Sequence, residues 1–289
     1  RRSMTDKKHL IDPGPSRKGW HRLQKVLRCP RLYALAYNKE KVISATAPAE
    51  PLVMGSALHI ALAHHYALTQ DEWKGREDEL YSPEDAVDEL ARRQHKQHRK
   101  TWQEYSDKIK SVYFQYKTHW AMERWDTKAI EHELCVNIFD DERNETYLYT
   151  QRVDAIWIHP ATQKVWFIDH KTTKRFTSRT VSGYSMSGQF LGYQMIGQEM
   201  FGDDWGGVLL NIIEWPKEEG GQASFDRVNL DPAPYSVEHF KKTIIHGERI
   251  IRDNANIEPA LWPGAHHESA CWHFRRCPHY ETCQWGDYT

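Results

Sequence analysis

No stretch of this sequence approaches the ~18 consecutive apolar residues that a membrane span needs. No apolar run follows Arg1–Thr5 either, so no secretory signal is expected. Neither sign of charge is in excess: 39 Lys and Arg face 40 Asp and Glu, for a formal net charge of -1. That balance excludes general attraction to a polyanion through bulk charge. Cysteine is scarce, with five in 289 residues, an odd number gathered toward the C-terminus. A disulfide scaffold is therefore excluded, and a reduced compartment, the cytoplasm, is expected. There is no glycine-rich cofactor loop, which argues against nucleotide-cofactor redox chemistry. Internal repeats and low-complexity tracts are absent too, so solenoid and disordered-tail classes fall away.

What is present is core material. Hydrophobic residues make up 39% of the chain, with 14 Tyr, 12 Trp and 9 Phe among the aromatics, enough for one elaborated domain. Residues 1–18 are polar and turn-rich around Pro13-Gly14-Pro15-Ser16 and read as a flexible arm. Apolar spacing predicts a helix over 18–38 that Pro30 should end or kink, and a compact helix over 56–68 opened by Gly55. A helical insertion rich in Arg, Lys, His and Gln follows, over about 70–130. Period-2 patterning then starts near Leu134 and continues through 147–158 and 164–169, two strands joined by a hairpin-length connection. A helix over 185–201, strands at 208–213 and 223–230 and a helix over 234–253 complete the regular part. The remaining tail, 254–289, is rich in Cys, His, Pro and Gly. This order implies an α/β domain with a mixed sheet and a large N-terminal helical insertion.

The sharpest chemical signal lies on the paired strands. Asp154 interrupts an apolar strand in Arg152-Val153-Asp154-Ala155-Ile156, and Asp169-His170-Lys171 ends the next. Asp169 and Lys171 are two apart and share a strand face. A hairpin would bring Asp154 beside Asp169, placing two carboxylates and an ammonium in one space. Hard oxygen donors of this kind suit Mg2+ or Mn2+, which activates a water and offsets charge in phosphoryl chemistry. Without a metal, two such carboxylates repel and one tends to hold its proton. Two helix patterns accompany them: Gly55-x-x-x-His59, and Gln189-x-x-x-Tyr193, whose side chains stack at i and i+4.

Taken in order, Gly-x-x-x-His, a strand Asp, Asp-x-Lys and Gln-x-x-x-Tyr resemble the RecB-like branch of the PD-(D/E)XK nuclease superfamily, over about residues 19–285. That resemblance implies a restriction-endonuclease-like α/β core over about 131–253, with a mixed central sheet flanked by helices, in a single nuclease domain over 19–289. It implies His59, Asp154, Asp169 and the main-chain carbonyl of His170 as ligands to Mg2+ or Mn2+, and Lys171 as the catalytic lysine. Gln189 and Tyr193 become the helix pair that contacts the DNA backbone, with Glu131 or Glu133 assisting. Position 151 is Gln where many relatives have Gly. The implied activity is a DNA exonuclease on single-stranded or end-bearing DNA, leaving 5′-phosphate and 3′-hydroxyl ends. The implied partners are a helicase, a recombination complex or a CRISPR-adaptation complex. The competing reading is a catalytically weak DNA-binding or assembly subunit.

Cys135 lies in strand-like sequence and reads as apolar filler. Cys271, Cys277 and Cys283 stand in a tail with little regular structure of its own, where a bound metal would supply order, with Cys29 as the fourth ligand. One cysteine before and three after the nuclease motifs resembles the iron-sulfur subset of the same nucleases. It implies a [4Fe-4S] cluster fastening the tail to the Cys29 helix, with structural zinc as the alternative. The spacing departs at Phe274, where those relatives carry cysteine, so His273 is a substitute donor. For DNA contact, Arg92, Arg93, Lys96, Arg99 and Lys100 crowd one helix, and Trp102, Tyr105, Phe176 and Tyr184 are candidates for base stacking.

Overall fold

The structure, a computed structural model, describes residues 8–11, 13–37, 50–93, 100, 102–103, 105–218, 220–273 and 275–286. Its centre is a five-stranded sheet in the order β1-β2-β3-β4-β5, made of β1 (Asp126–Asp140), β2 (Glu145–Ile158), β3 (Val165–Thr173), β4 (Trp205–Glu214) and β5 (Ser224–Leu230). The first three strands meander antiparallel, β3 pairs parallel with β4, and β4 pairs antiparallel with β5. A parallel step needs a crossover, here provided by α6 (Ser178–Ser185) and α7 (Gly188–Phe201). The side chains of Thr177 and Ser187 accept hydrogen bonds from the backbone N–H groups of Thr180 and Gln189, which starts those two helices. The mixed restriction-endonuclease-like α/β fold expected from the sequence is the one observed.

Helices cover both faces of the sheet. On one side, α3 (Glu50–Ala67), α4 (Pro83–Arg93) and α5 (Ser106–His119) pack Leu58, Ile60, Leu62, Ile109 and Tyr116 against Ala155, Trp157 and Ile168. On the other, α1 (Trp20–Arg28), α7 and α8 (Pro234–Asp253) pack Leu23, Val26, Phe190, Ile196 and Ile244 against Leu134, Val153 and Phe167. α3 is apolar almost all round because it is buried on most sides. It begins at Glu50 and runs straight through Gly55, where the sequence suggested a start. That glycine is a contact rather than a stop: a Cβ there would lie 3.3 Å from Thr172 Oγ1, so α3 can press onto β3. α8 matches the sequence boundaries, with Pro234 at a helix start where its missing N–H costs nothing.

The first helix is broken at extended Cys29 into α1 and α2 (Pro30–Ala36), Pro30 opening the second piece, as its position predicts. Two further boundaries differ from expectation. β1 starts at Asp126, so the helical insertion ends well before 130. Residues 8–11 and 13–18, read from sequence as part of a flexible arm, are packed. His9 bonds the backbone of Glu79 and Tyr81, and the Ile11 N–H donates to His64 Nε2 at 3.0 Å. Further on, the Ser16 hydroxyl, the Lys18 N–H and the Lys18 carbonyl all bond Thr150. The tail docks on α1 and α2 as expected, but through arginines. Arg28 donates to the Ala270 carbonyl and Arg31 to that of Trp262.

β1 and β2 carry one irregularity that matters later. Leu134, Val136 and Ile138 pack into the α7–α8 core, whereas Ile130, of the same strand parity, packs into the α3–α5 core. On β2, Val153 and Ala155 divide between the same two cores. Regular alternation would put each set on one face. The switch coincides with Glu131, whose φ of 45° lies in the left-handed region that non-glycine residues rarely adopt.

Candidate active site

At the heart of the molecule, β2 and β3 pair from Ile158↔Val165 to Ala155↔Ile168, and the strands then part. The next step in that register sets Asp154 opposite Asp169. Alternation along β3 sends Phe167, Asp169 and Lys171 toward α7, and Ile168 and His170 toward α3 and α5. A cavity of about 520 Å³ opens there. Its lining includes His59, Glu131, Asp154, Asp169, Lys171, Gln189 and Tyr193. Its remaining walls come from the N-terminal half of α3, from Trp20, His21 and Gln24 of α1, and from Pro13–Ser16.

Each acidic group is held by a different element. Asp154 Oδ2 accepts the His170 N–H at 2.6 Å and lies 3.5 Å from His59 Nδ1. Burial pushes the Asp154 pKa up and His59 opposes the rise, while the Asp169 charge adds to it. Asp169 is 1% exposed. Its Oδ1 accepts Gln189 Nε2 at 2.7 Å and lies 3.2 Å from the Tyr193 hydroxyl. Lys171 Nζ sits 2.6 Å from Oδ2. That contact is an ion pair at charge-assisted distance and is the close partner of Oδ2. Burial opposes the Lys171 ammonium, but Asp169 and Asp154 outweigh it and raise its pKa. Gln189 completes the ring by accepting from Lys171 Nζ at 3.3 Å.

Tyr193 was expected to meet the DNA backbone. It is instead 1% exposed and donates to the Arg152 carbonyl at 2.7 Å, which fixes it beneath Asp169. Burial and the two aspartates keep its phenol neutral by raising its pKa well above the usual value. The His170 side chain turns away from Lys171. Its ring stacks on Tyr66 at 5.8 Å, and Nδ1 lies 2.6 Å from Asn211 Nδ2. Behind it, Tyr116, Arg227 and Glu123 form a buried polar network. Gln151, the departure from the family's glycine, reaches the Tyr149 hydroxyl and the Gln189 carbonyl, and so closes the space between β2 and α7.

The donors suit a divalent cation in kind: two buried carboxylates with an imidazole beside them. As they stand, no three His, Cys, Asp or Glu side chains converge to hold a metal among the described residues. Lys171 stands against the Asp169 carboxylate at 2.6 Å.

Among the described residues no three His, Cys, Asp or Glu stand together as a metal-holding group, so the structure does not support the expected cluster on Cys29, Cys271, Cys277 and Cys283; Cys283 is exposed. Position 274 lies outside the described residues, as does the His273 side chain. Burial, with the nearby Cys283 and Cys29 thiols, pushes the Cys277 thiol up. The tail is held to the N-terminal helices by Arg28 and Arg31.

Of the expected DNA-contacting groups, Arg92 and Arg93 pair with Glu89, while Lys96 and Arg99 lie outside the described residues. Trp102 is buried, and Tyr105, Phe176 and Tyr184 pack against the two cores. None of these four lines the cavity. The residues that do, Trp20, His21 and Arg152, escaped the sequence reading. Arg152, two residues before Asp154, was the one with a readable signal.

A mixed sheet with an Asp pair and a lysine at the mouth of its central strands defines a nuclease-type α/β protein. The sequence profile of the PD-(D/E)XK nuclease superfamily matches residues 20–284, and the chain belongs to that superfamily. No curated protein matches it. Among solved structures it is similar to one titled "Crystal structure of SSO0001", with 14% identity and a TM-score of 0.31, over 78% of this chain and 84% of that one. No described helix is long and apolar enough to cross a membrane.

Proposed function

We propose that the protein is a Mg2+- or Mn2+-dependent deoxyribonuclease of the RecB-like branch, removing nucleotides from the ends of single-stranded or end-bearing DNA. The observation that carries this reading is the meeting of Asp154, Asp169, Lys171, Gln189 and Tyr193 in one cavity. His59, Asp154 and Asp169 would hold the cation, with the His170 carbonyl beside them. When bound, the metal supplies an activated water and offsets charge on the phosphate.

The protein groups have distinct tasks. Lys171, held as an ammonium, orients the water and stabilises charge developing on the phosphate oxygens. Gln189 aims Lys171 from one side and Asp169 from the other. Tyr193, kept neutral, donates its proton to the Arg152 carbonyl and accepts from Gln189 Nε2, which aims Gln189 at Asp169. The cavity, about 520 Å³, is walled by α1, α3 and residues 13–16.

The test is digestion of end-labelled linear and covalently circular single-stranded DNA with Mn2+, Mg2+ or EDTA. Metal-dependent release from linear ends alone is the expected result. Cutting of circles at a comparable rate would overturn the exonuclease assignment. Full activity of Asp169→Ala or Lys171→Ala would overturn the site. DNA binding with no cleavage under any divalent metal would favour the assembly-subunit reading.

A further inference from the structure

We propose that Arg152 is a second phosphate-binding site in this cavity, taking the backbone phosphate next to the one being cleaved; this rests on the nuclease reading above. Arg152 lines the same cavity as Asp154 and Lys171. It stands two residues from Asp154 on β2, ~6.6 Å along a strand. That is the scale of the step from one backbone phosphate to the next.

The guanidinium is poorly matched inside the protein. Its Nε is buried without a hydrogen-bond partner, which is costly for a charged group unless a ligand satisfies it. Its ion pair, with Glu133 Oε2, is loose at 3.7 Å. Glu133 is better served by Arg17, which reaches Oε1 through its backbone N–H at 3.2 Å and its Nε at 3.3 Å. The side chain keeps 26% of its surface exposed, so its fork is open to the cavity.

The backbone beneath it is fixed. The Arg152 carbonyl accepts the Tyr193 hydroxyl, which ties this residue to the group that supports Asp169. Above, a Cβ on Gly14 would stand 3.9 Å from Nη1, so the 13–16 segment passes close over the guanidinium. A planar fork with free donors in a semi-enclosed space matches the tetrahedral oxygens of a phosphodiester. A metal ion is excluded at this position by the positive charge. A base edge is not excluded by geometry, but it would not use the charge.

The distinction is measurable without catalysis. A short end-labelled oligodeoxythymidine is titrated with the full chain in EDTA and followed by fluorescence anisotropy across a salt series. Removing a charge-assisted contact predicts that Arg152→Ala weakens binding about tenfold or more and lowers the salt slope by about one. Arg152→Lys should keep the slope and recover only part of the affinity, because the charge remains and the fork is lost. Glu133→Gln, which removes the loose acidic partner, should tighten binding.

Unchanged affinity and slope in Arg152→Ala would overturn the proposal. If that variant fails to fold, Arg152→Lys and Glu133→Gln decide: wild-type affinity in both overturns it. Because no cleavage is read, the two proposals fail separately. A protein that binds with this signature but never cuts sinks the nuclease reading alone. One that cuts, with binding indifferent to Arg152, sinks this inference alone.

Discussion

His64 offers a test of how the N-terminal segment is held. It is 0% exposed, its Nε2 accepts the Ile11 N–H, and its Nδ1 lies 2.9 Å from the Tyr81 carbonyl. The Ile11 bond requires an unprotonated Nε2, so the ring is neutral with its proton on Nδ1, donated to Tyr81; burial pushes the pKa down from 6.5 to about 4, against the Tyr81 bond, which raises it. Between those two values the unfolded chain takes up a proton and the folded chain does not. The stability from His64 is therefore complete above pH 6.5 and lost as pH falls toward 4. A displacement of that size corresponds to about 3 kcal/mol, of which about 2 kcal/mol disappears between pH 7 and pH 5. The assay is urea unfolding at both pH values for the wild type and His64→Gln. Gln preserves one donor and one acceptor but does not titrate. Other histidines contribute equally to both proteins and cancel in the comparison. The wild type should lose about 2 kcal/mol more than the variant on acidification. Parallel losses in the two proteins would refute the account of this contact.

Other consequences are more local. Lys171→Gln should lower metal-dependent cleavage by about 10²-fold or more, since the lost group acts on the phosphate; comparable cleavage rates would refute its role. Gly192→Ala puts a methyl 2.5 Å from Gln151 Nε2 and 2.6 Å from the Tyr149 hydroxyl. Overpacking of that kind should cost about 1–3 kcal/mol in denaturant unfolding. Arg227 lies 3.7 Å over the Trp120 ring and pairs with Glu123 at 2.5 Å in a largely buried setting. Arg227→Met should cost about 3–5 kcal/mol by leaving that carboxylate unpaired, and adding Glu123→Leu should restore part of it; a double variant worse than the single would contradict this.

The sequence made the strands of the site readable because apolar alternation is local. Asp154, Asp169 and Lys171 stand out against Val, Ile, Ala and Phe, and α8 announces itself with Pro234 and an amphipathic face. What stayed hidden depends on contacts distant in sequence. Gly55 reads as a helix opening until β3 presses against it. Residues 8–18 read as mobile because their polar composition does not reveal that His64 and Thr150 would fasten them. The hold of Arg28 and Arg31 on the tail carried no signal in the sequence, because their acceptors are backbone carbonyls more than 200 residues away. Tyr193 was legible as a partner of Gln189, but its direction required the position of β2. Arg152 was hidden beside the more conspicuous Asp154.

The change of face at Glu131 gives the site an unusual mechanical position. His59 rides on the layer of α3 to α5, while Gln189 and Tyr193 ride on the layer of α7 and α8. The base of the long β1–β2 hairpin packs into both layers and is the seam between them, whereas toward its tip Leu134, Val136 and Ile138 pack into the α7–α8 layer. The carboxylates lie on that seam, so a slip between the layers misaligns His59 against Asp154 before either core opens. A strand lying in the cavity touches both sides of the seam and holds them in register. DNA should therefore act as a brace between two halves of the protein, and heat should abolish cutting before it melts either layer.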